Sequence, residues 1–263
     1  MAKALASSFP NSRIVKREVF HNWGSDSGVK EIEKYFSSLD EHVIRVFNCA
    51  GITNTSSNPI HLQDLNFKMP RNLLTYCNGK DMQVVTFGSV MENFAKYSET
   101  NNYLKSKISL RNWIVENFNT SKFSLHLQMH TLYGGMRVQQ HMFLGQIIES
   151  IRRQELFRMS AGNQIREYHH IDDDVAALKI LLSQSKSGIQ SISHGSPIKL
   201  SDLAQYIFST FGIEDLLSIG QLESSNYENQ DVVFEPNIDF TPVNFRETKV
   251  GVVNWIRGVL DEK

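Results

Sequence analysis

Cysteine is scarce in this chain: Cys49 and Cys77 are the only two in 263 residues, too few for a disulfide framework. Both fall inside strand or helix patterns, and a reducing cytoplasm is the expected setting. Long apolar runs are also missing. None approaches the roughly 20 residues that span a bilayer, and the first residues lack an apolar signal core, so no membrane partner is expected. Charge of one sign is equally absent. A formal net charge of -1, with no basic tract longer than Arg152-Arg153, leaves no stripe for a phosphate backbone and excludes a general nucleic-acid partner. Low-complexity segments and internal repeats do not occur. What remains, 41% apolar and 21% charged residues, is the composition of a globular chain with one sizeable core or two fused lobes.

Apolar periodicity alternates between strand and helix along the chain. A helical run at 2–9 stops at Pro10, and Ser12 to Val15 reads as a strand followed by Lys16 and Arg17. Val29, Ile32 and Phe36 mark a helix, and 42–48 a strand that opens into Cys49, Ala50 and Gly51. Leu62, Leu65, Met69, Leu73 and Leu74 recur at helical spacing before a strand at 82–87. Further strands are expected at 123–129 and 166–170, and further helices at 103–115, 143–151, 175–182, 201–211 and 252–260, with Ser201 and Asp202 as a cap. Strands separated by helices predict an α/β fold with a parallel sheet covered on both faces. No Pro/Gly/Ser-rich linker divides the halves, which predicts two interleaved lobes, 1–129 and 130–263.

The most informative stretch is Thr86, Phe87, Gly88 and Ser89 followed by Tyr103 and Lys107. Ser89 stands where a buried strand runs out into a loop, and Tyr103 and Lys107 project from one helix face, about 6 Å apart. A hydroxyl, a phenol and an ammonium at the carboxyl end of a parallel sheet suit carbonyl reduction. The ammonium is expected to lower the phenol's pKa, the tyrosine to move the proton, and the serine to hold the carbonyl oxygen. Spacing alone is weak support. With 8 Tyr and 15 Lys, chance supplies about half an occurrence of Tyr-x-x-x-Lys, and a second copy is present at Tyr76 and Lys80. That copy spans Asn78-Gly79, a helix stop.

Five short motifs then fall in one order: Asn48-Cys49-Ala50-Gly51, Gly88-Ser89, Tyr103-x-x-x-Lys107, Leu132-Tyr133-Gly134, and Arg166-Glu-Tyr-His-His-Ile-Asp-Asp173. In that order and spacing the chain resembles the extended short-chain dehydrogenase/reductase family, of the NAD-dependent epimerase/dehydratase type. Within it the similarity is closest to the nucleotide-sugar 4-ketoreductases of surface-polysaccharide (O-antigen, lipopolysaccharide) synthesis. The resemblance implies a Rossmann-like, doubly wound parallel sheet in a cofactor-binding lobe and a smaller, mixed C-terminal lobe that is mainly substrate-binding. It makes Ser89, Tyr103 and Lys107 catalytic and lays Asn48, Cys49, Ala50 and Gly51 along the cofactor. Ser89, His130 and Arg166 would meet a nucleotide-sugar substrate, the guanidinium fork on its phosphates. Lys16 and Arg17 stand where an NAD enzyme offers an acid to the ribose, so NADP(H) is favoured over NAD(H), which the fold also accepts. A cytoplasmic homodimer is the family's habit.

The chain also departs from this pattern. Family members open with a strand and a glycine-rich turn that holds the pyrophosphate, whereas this sequence starts at what looks like the following helix, so the usual first strand is expected to be lacking. Only 14 residues separate Ser89 from Tyr103, and 226–237 lacks the second phosphate-binding arginine of many relatives. A truncated, non-catalytic Rossmann-like binding subunit is therefore the rival from another class. An epimerase or dehydratase is the nearer alternative, although Val90-Met91-Glu92 offers a dehydratase only one acid.

Other residues have plainer readings. His169 and His170 would point to opposite faces of a strand, and Asp172, Asp173 and Asp174 open a helix as caps, so no metal site is expected. Cys49 has no assignable base and reads as packed rather than nucleophilic. His141 is a surface candidate, Tyr133 a turn residue, and Arg166 has the alternative of an ion pair with Glu167 or Asp173.

Overall fold

The computed structural model describes residues 1–40, 42–94, 101–118, 121–135, 138–224, 232–236, 240 and 242–262. Part of the Ser89 to Tyr103 interval (95–100) and most of the 226–237 segment, with the absent arginine expected of it, lie outside the described residues.

In chain order the elements are α1 (Ala2–Ser8), α2 (Arg17–Phe20), α3 (Gly28–Ser37), β1 (Arg45–Asn48), α4 (Pro59–Gln63) and α5 (Met69–Cys77), the last two joined by a π-helical turn, Asp64–Lys68. Then follow β2 (Gln83–Ser89), a 3₁₀ turn at Val90–Asn93, α6 (Asn102–Phe118), β3 (Ser124–Met129) and β4 (Thr131–Tyr133). The remainder is α7 (Phe143–Arg153), β5 (Phe157–Met159), β6 (Ile165–Arg166), β7 (Tyr168–His170), α8 (Ile171–Ser183), β8 (Gly188–Ser191), β9 (Ile198–Lys199), α9 (Leu200–Phe211), β10 (Leu217–Ile219) and α10 (Thr248–Asp261).

The chain forms two compact units, one of residues 1–129 and 179–192, the other of 130–178 and 193–263. Unit 1 is built on a parallel sheet of order β1-β2-β3-β8, in which Thr86 pairs with His126 and Asn48 with Thr86. β3, flanked by β2 and β8, is buried at every position, and β2 is buried over Val84, Val85 and Thr86. One core of this unit joins Ile32, Leu73, Leu74, Val84, Leu110 and Ile114 from α3, α5, β2 and α6. The start of α4 is locally encoded: the Asn58 side chain accepts a hydrogen bond from the Ile60 N–H at 2.8 Å, with Pro59 as the first residue of the helix.

The strand expected at Ser12 to Val15 does not form. Those residues lie in extended or irregular chain, with Ser12, Arg13 and Ile14 exposed. Among the described residues no strand lies beyond β1, so a segment there has no ladder to receive its N–H and C=O groups, and Val15 packs instead against the core as a loop residue. Lys16 and Arg17 therefore open the short helix α2, both exposed, rather than following a strand.

Unit 2 holds three two-stranded sheets, β10-β5, β4-β7 and β6-β9. Its core joins α7, α9 and α10 through Ile147, Ile148, Ile207, Phe208, Val252 and Ile256. Gly212, at φ 67°, ends α9 in the left-handed region where glycine is unstrained. Ser201 and Asp202 lie inside the first turn of α9 and do not cap it; the N-cap is Lys199. A glycine is also required at 251, because a Cβ there would lie 2.0 Å from the buried Tyr133 hydroxyl. Gly251→Ala is expected to cost about 1 to 3 kcal/mol through overpacking, read as a lower urea midpoint; an unchanged midpoint would show that α10 and Tyr133 separate freely.

Candidate active site

In unit 1 the chemistry gathers at the carboxyl end of β2. A capping box closes the 3₁₀ turn that follows the strand: the Ser89 Oγ accepts from the Met91 N–H at 3.2 Å, and Glu92 Oε1 accepts from the Ser89 N–H at 2.8 Å. The other Glu92 oxygen meets His126 Nε2 at 3.0 Å, and His126 Nδ1 lies 2.7 Å from Thr86 Oγ1. Glu92 and His126 are both buried, and Gln128 also donates toward the Glu92 carboxylate, at 3.4 Å. This group lies over the strand at Gly88, where a Cβ would stand 2.3 Å from Glu92 Oε1 and 2.4 Å from His126 Nε2. The Gly-Ser of the sequence motif thus has a steric cause.

Tyr103 and Lys107 occupy the first turns of α6. The Lys107 ammonium donates to the Phe87 carbonyl at 2.7 Å, which ties the helix to β2 two residues before Ser89. Burial lowers the Lys107 pKa, opposed by the negative charge of Glu92. For Tyr103, burial first and Glu92 second push the phenol up to about 12. This reverses the expectation that Lys107 would depress it. Desolvation of the phenol is the larger cause and the Glu92 charge adds to it, so the phenol stays protonated at neutral pH. The control pair behaves differently: α5 ends at Cys77, yet the Lys80 ammonium lies over the Tyr76 ring at 4.7 Å, a cation–π contact rather than a catalytic pairing.

The loop after β1 is held against α6 by a residue that the sequence patterns passed over. Asn66, on the π-helical turn, accepts from the Ile52 N–H at 2.8 Å and donates to the Ile52 carbonyl at 3.0 Å and to Ser106 Oγ at 3.1 Å. Ser106 in turn donates to the Tyr103 carbonyl at 2.6 Å. The only sequence signal for Asn66 is a buried polar residue within an apolar helical run. π-Turns often mark such positions, but local propensity does not reveal them.

The residues at the end of β1 suit a flat polar ligand. Asn48 is buried, and its Oδ1 has no hydrogen-bond partner among the described residues. A Cβ at Gly51 would approach only Asn66 Oδ1, at 3.1 Å, so the backbone there is open to close approach. Cys49 is not a nucleophile: burial raises its thiol to about 12, and burial raises Cys77 likewise to about 12. Cys77, which is fully buried, is not expected to react with iodoacetamide at pH 8 until the chain is unfolded, as mass spectrometry would show; rapid labelling of Cys77 in the native chain would contradict this burial.

Unit 2 carries the remaining candidates. Arg166 Nη1 donates to the Ile165 carbonyl at 2.9 Å. His130 was expected to touch a sugar, but its side chain is only 4% exposed. The ring stacks on His169 at 5.0 Å and meets Phe234 edge-on at 4.8 Å, so it belongs to the interior. His169 and His170 do turn to opposite sides of β7, and His169 enters a buried polar cluster: Nδ1 lies 2.7 Å from Asp174 Oδ1 and Nε2 3.0 Å from Glu167 Oε2. Glu167 also accepts from Ser193 Oγ at 2.7 Å and the His194 N–H at 3.0 Å. Against the desolvation of its site, hydrogen bonds and charge from Asp174 and Glu167 raise His169 to about 9. In spite of its burial, hydrogen bonds from His169 and Ser193 hold Glu167 down at about 2. Burial leaves His130 neutral, its pKa lowered to about 3. Asp173 and Asp174, read in sequence as caps, are committed to side chains, Asp173 to Arg246 and Asp174 to His169.

A separate cavity of about 1020 Å³ lies wholly in unit 2, lined in part by Lys199, Phe240, Asn244, Phe245, Arg246 and Lys249. The lining also carries Asp202 and Glu247, and Arg246 is already paired with Asp173, so the two rings and the cations Lys199 and Lys249 are what it offers a flat, polar ligand.

Comparison with known proteins agrees with this geometry. Residues 7–193 match the sequence profile described as the NAD dependent epimerase/dehydratase family. No curated protein matches the chain. Among solved structures, Pal from Bacillus thuringiensis is similar with a TM-score of 0.72 at 15% identity, over 89% of this chain and 81% of that one. RMD from Pseudomonas aeruginosa complexed with NADPH gives 0.67 at 14% identity, covering 91% of this chain and 96% of that one. The UDP-N-acetylglucosamine 4-epimerase from Methanobrevibacter ruminantium M1, in complex with UDP-N-acetylmuramic acid, gives 0.66 at 13% identity, over 82% and 75%. At such identities the likeness is one of fold: a Rossmann-like parallel sheet with helices.

Proposed function

The chain belongs to the NAD dependent epimerase/dehydratase family, and from that premise we propose that it is an NADP(H)-dependent reductase acting on the C4 ketone of a nucleotide sugar. The observation that carries this reading is the geometry at the end of β2, where Ser89 stands two residues beyond the Phe87 carbonyl that the Lys107 ammonium binds at 2.7 Å, with Tyr103 one turn before Lys107 on α6. Reduction needs a proton donor at the carbonyl oxygen, whereas oxidation needs a base there. Ser89 already accepts a hydrogen bond from the Met91 N–H, which orients its oxygen and leaves its proton to donate to the same carbonyl.

When bound, the nicotinamide supplies hydride to the carbonyl carbon. The protein's part is to hold it: the Asn48 to Gly51 backbone, with Cys49 and Ala50, would lie along it, and Lys107 would contact its ribose. Lys16 and Arg17, both exposed at the start of α2 with Glu18 beside them, would meet a 2′-phosphate, which favours NADP(H). In unit 2, Arg166 and the cation-lined cavity would receive the nucleotide diphosphate. Catalysis in a cytoplasmic homodimer that serves surface-polysaccharide synthesis completes the proposal.

An epimerase would use the same residues, with Tyr103 taking the proton in one half-reaction and returning it in the other. A dehydratase would need a free acid, and Glu92 is bonded to Ser89 and His126. The test is incubation with NADPH and a panel of 4-keto nucleotide sugars, following loss of the reduced nicotinamide and formation of the C4 carbinol by NMR. Stoichiometric NADPH consumption is expected. Isomerisation or water loss without net consumption would move the assignment to the epimerase or dehydratase, and complete inertness to the binding subunit.

A further inference from the structure

The strongest unassigned feature is the buried cluster of unit 2. His130 Nε2, a Glu167 carboxylate oxygen and His169 Nε2 lie within 4.8 Å of one another. His130 Nε2 has no hydrogen-bond partner among the described residues, although its side chain is only 4% exposed. It faces Glu167 Oε2 at 3.9 Å, too far for a hydrogen bond. A buried imidazole nitrogen left unpaired beside a carboxylate is costly unless something lies between them.

We propose that His130 Nε2, Glu167 and His169 Nε2 bind a divalent transition cation of the Zn²⁺ class, with water as the fourth ligand. Two imidazoles and a carboxylate are a donor set that such ions accept in tetrahedral geometry. The surroundings are arranged as a metal site requires. Asp174 Oδ1, 2.7 Å from His169 Nδ1, fixes the proton on that nitrogen and turns Nε2 toward Glu167. Ser193 holds the other Glu167 oxygen at 2.7 Å, which fixes the carboxylate that would act as ligand.

A bound cation would replace the 3.0 Å hydrogen bond between His169 Nε2 and Glu167 Oε2 with two coordinate bonds. Tetrahedral ligands about 2.0 to 2.2 Å from an ion are about 3.4 Å apart, so the 3.0 Å and 3.9 Å separations need only small adjustment. The His130 ring, stacked within 22° of His169, must turn about its Cβ–Cγ bond, which breaks no hydrogen bond at Nε2. The ion would clamp the first residue of unit 2 to β7.

The test is titration of the chelator-treated full chain with Co²⁺ and Zn²⁺. One equivalent is expected to bind, with the intense visible absorption of tetrahedral cobalt and a paramagnetically shifted His169 Nδ1–H resonance. His130→Gln should weaken binding at least tenfold. If that variant fails to fold, the cobalt spectrum and the His169 resonance of the unaltered chain decide. No binding, octahedral pale cobalt, or affinity unchanged by His130→Gln would overturn the proposal, and a water would then be what separates His130 from Glu167.

Discussion

Tyr103→Phe is expected to lower turnover by about 10² to 10⁴-fold, the usual contribution of one positioned acid, while NADPH binds as before. The phenyl ring keeps the packing of the first turn of α6, and the Lys107 bond to the Phe87 carbonyl at 2.7 Å does not involve the hydroxyl. Only the transferable proton is removed. Its pH dependence follows from the phenol's position near 12: the donor stays protonated through neutrality, so the unaltered enzyme should show no loss of reduction on the alkaline side that tracks a tyrosine until well above pH 9. Removing the Glu92 charge with Glu92→Gln takes away the second cause of the upward shift, and the alkaline limb should move to lower pH. Unchanged turnover in Tyr103→Phe would end the assignment of this residue as the acid.

The second large effect is on stability. Glu167→Ala is expected to cost about 3 to 5 kcal/mol, the penalty for breaking a buried ion pair by deleting one partner. The Glu167 side chain is 1% exposed and satisfies His169 Nε2, Ser193 Oγ and the His194 N–H together, so truncation strands three buried donors. His169 would keep only Asp174 and lose half of what holds its charge. Glu167→Gln should cost less, because the amide oxygen can still accept from the His194 N–H while the Ser193 hydroxyl turns to accept from the amide NH2. Urea denaturation of both variants in the presence of a chelator gives the comparison; a Glu167→Ala loss below about 1 kcal/mol would mean that the cluster is wetter than its burial implies.

What the sequence made legible was the local part. Val84, Val85 and Thr86 running into Gly88-Ser89, and the apolar rows of α7 and α10, set period and boundary within one segment, and those elements formed. The strand at Ser12 to Val15 failed because strand formation depends on a neighbour, and Ile14, 53% exposed, has none. Glu92 and His126 were missed as a pair because they lie 34 residues apart and meet only through the β2-β3 register. The direction of the Tyr103 shift is hidden in the sequence for the same reason: the Tyr103-to-Lys107 spacing is local, but the burial that raises the phenol, and the Glu92 charge that adds to it, come from the tertiary fold. His169 was weighed against its sequence neighbours, whereas its partners are His130 on one face and His194 on the other, at 5.0 and 4.4 Å. Asn66 shows the limit most clearly, since a lone polar residue in a helical run becomes informative only once the loop after Gly51 and Ser106 of α6 are seen to converge on it.

The central claim is that unit 1 holds a reduced nicotinamide with Tyr103 and Lys107, and the direct measurement is a titration of the folded chain with NADPH and, separately, NADH. Energy transfer from its three tryptophans to the reduced nicotinamide gives the signal. Saturable binding with NADPH preferred, and that preference lost in a Lys16→Ala, Arg17→Ala double variant, is the expected result. A chain that is folded by circular dichroism yet binds neither nucleotide would contradict the account and favour a binding module on the same scaffold.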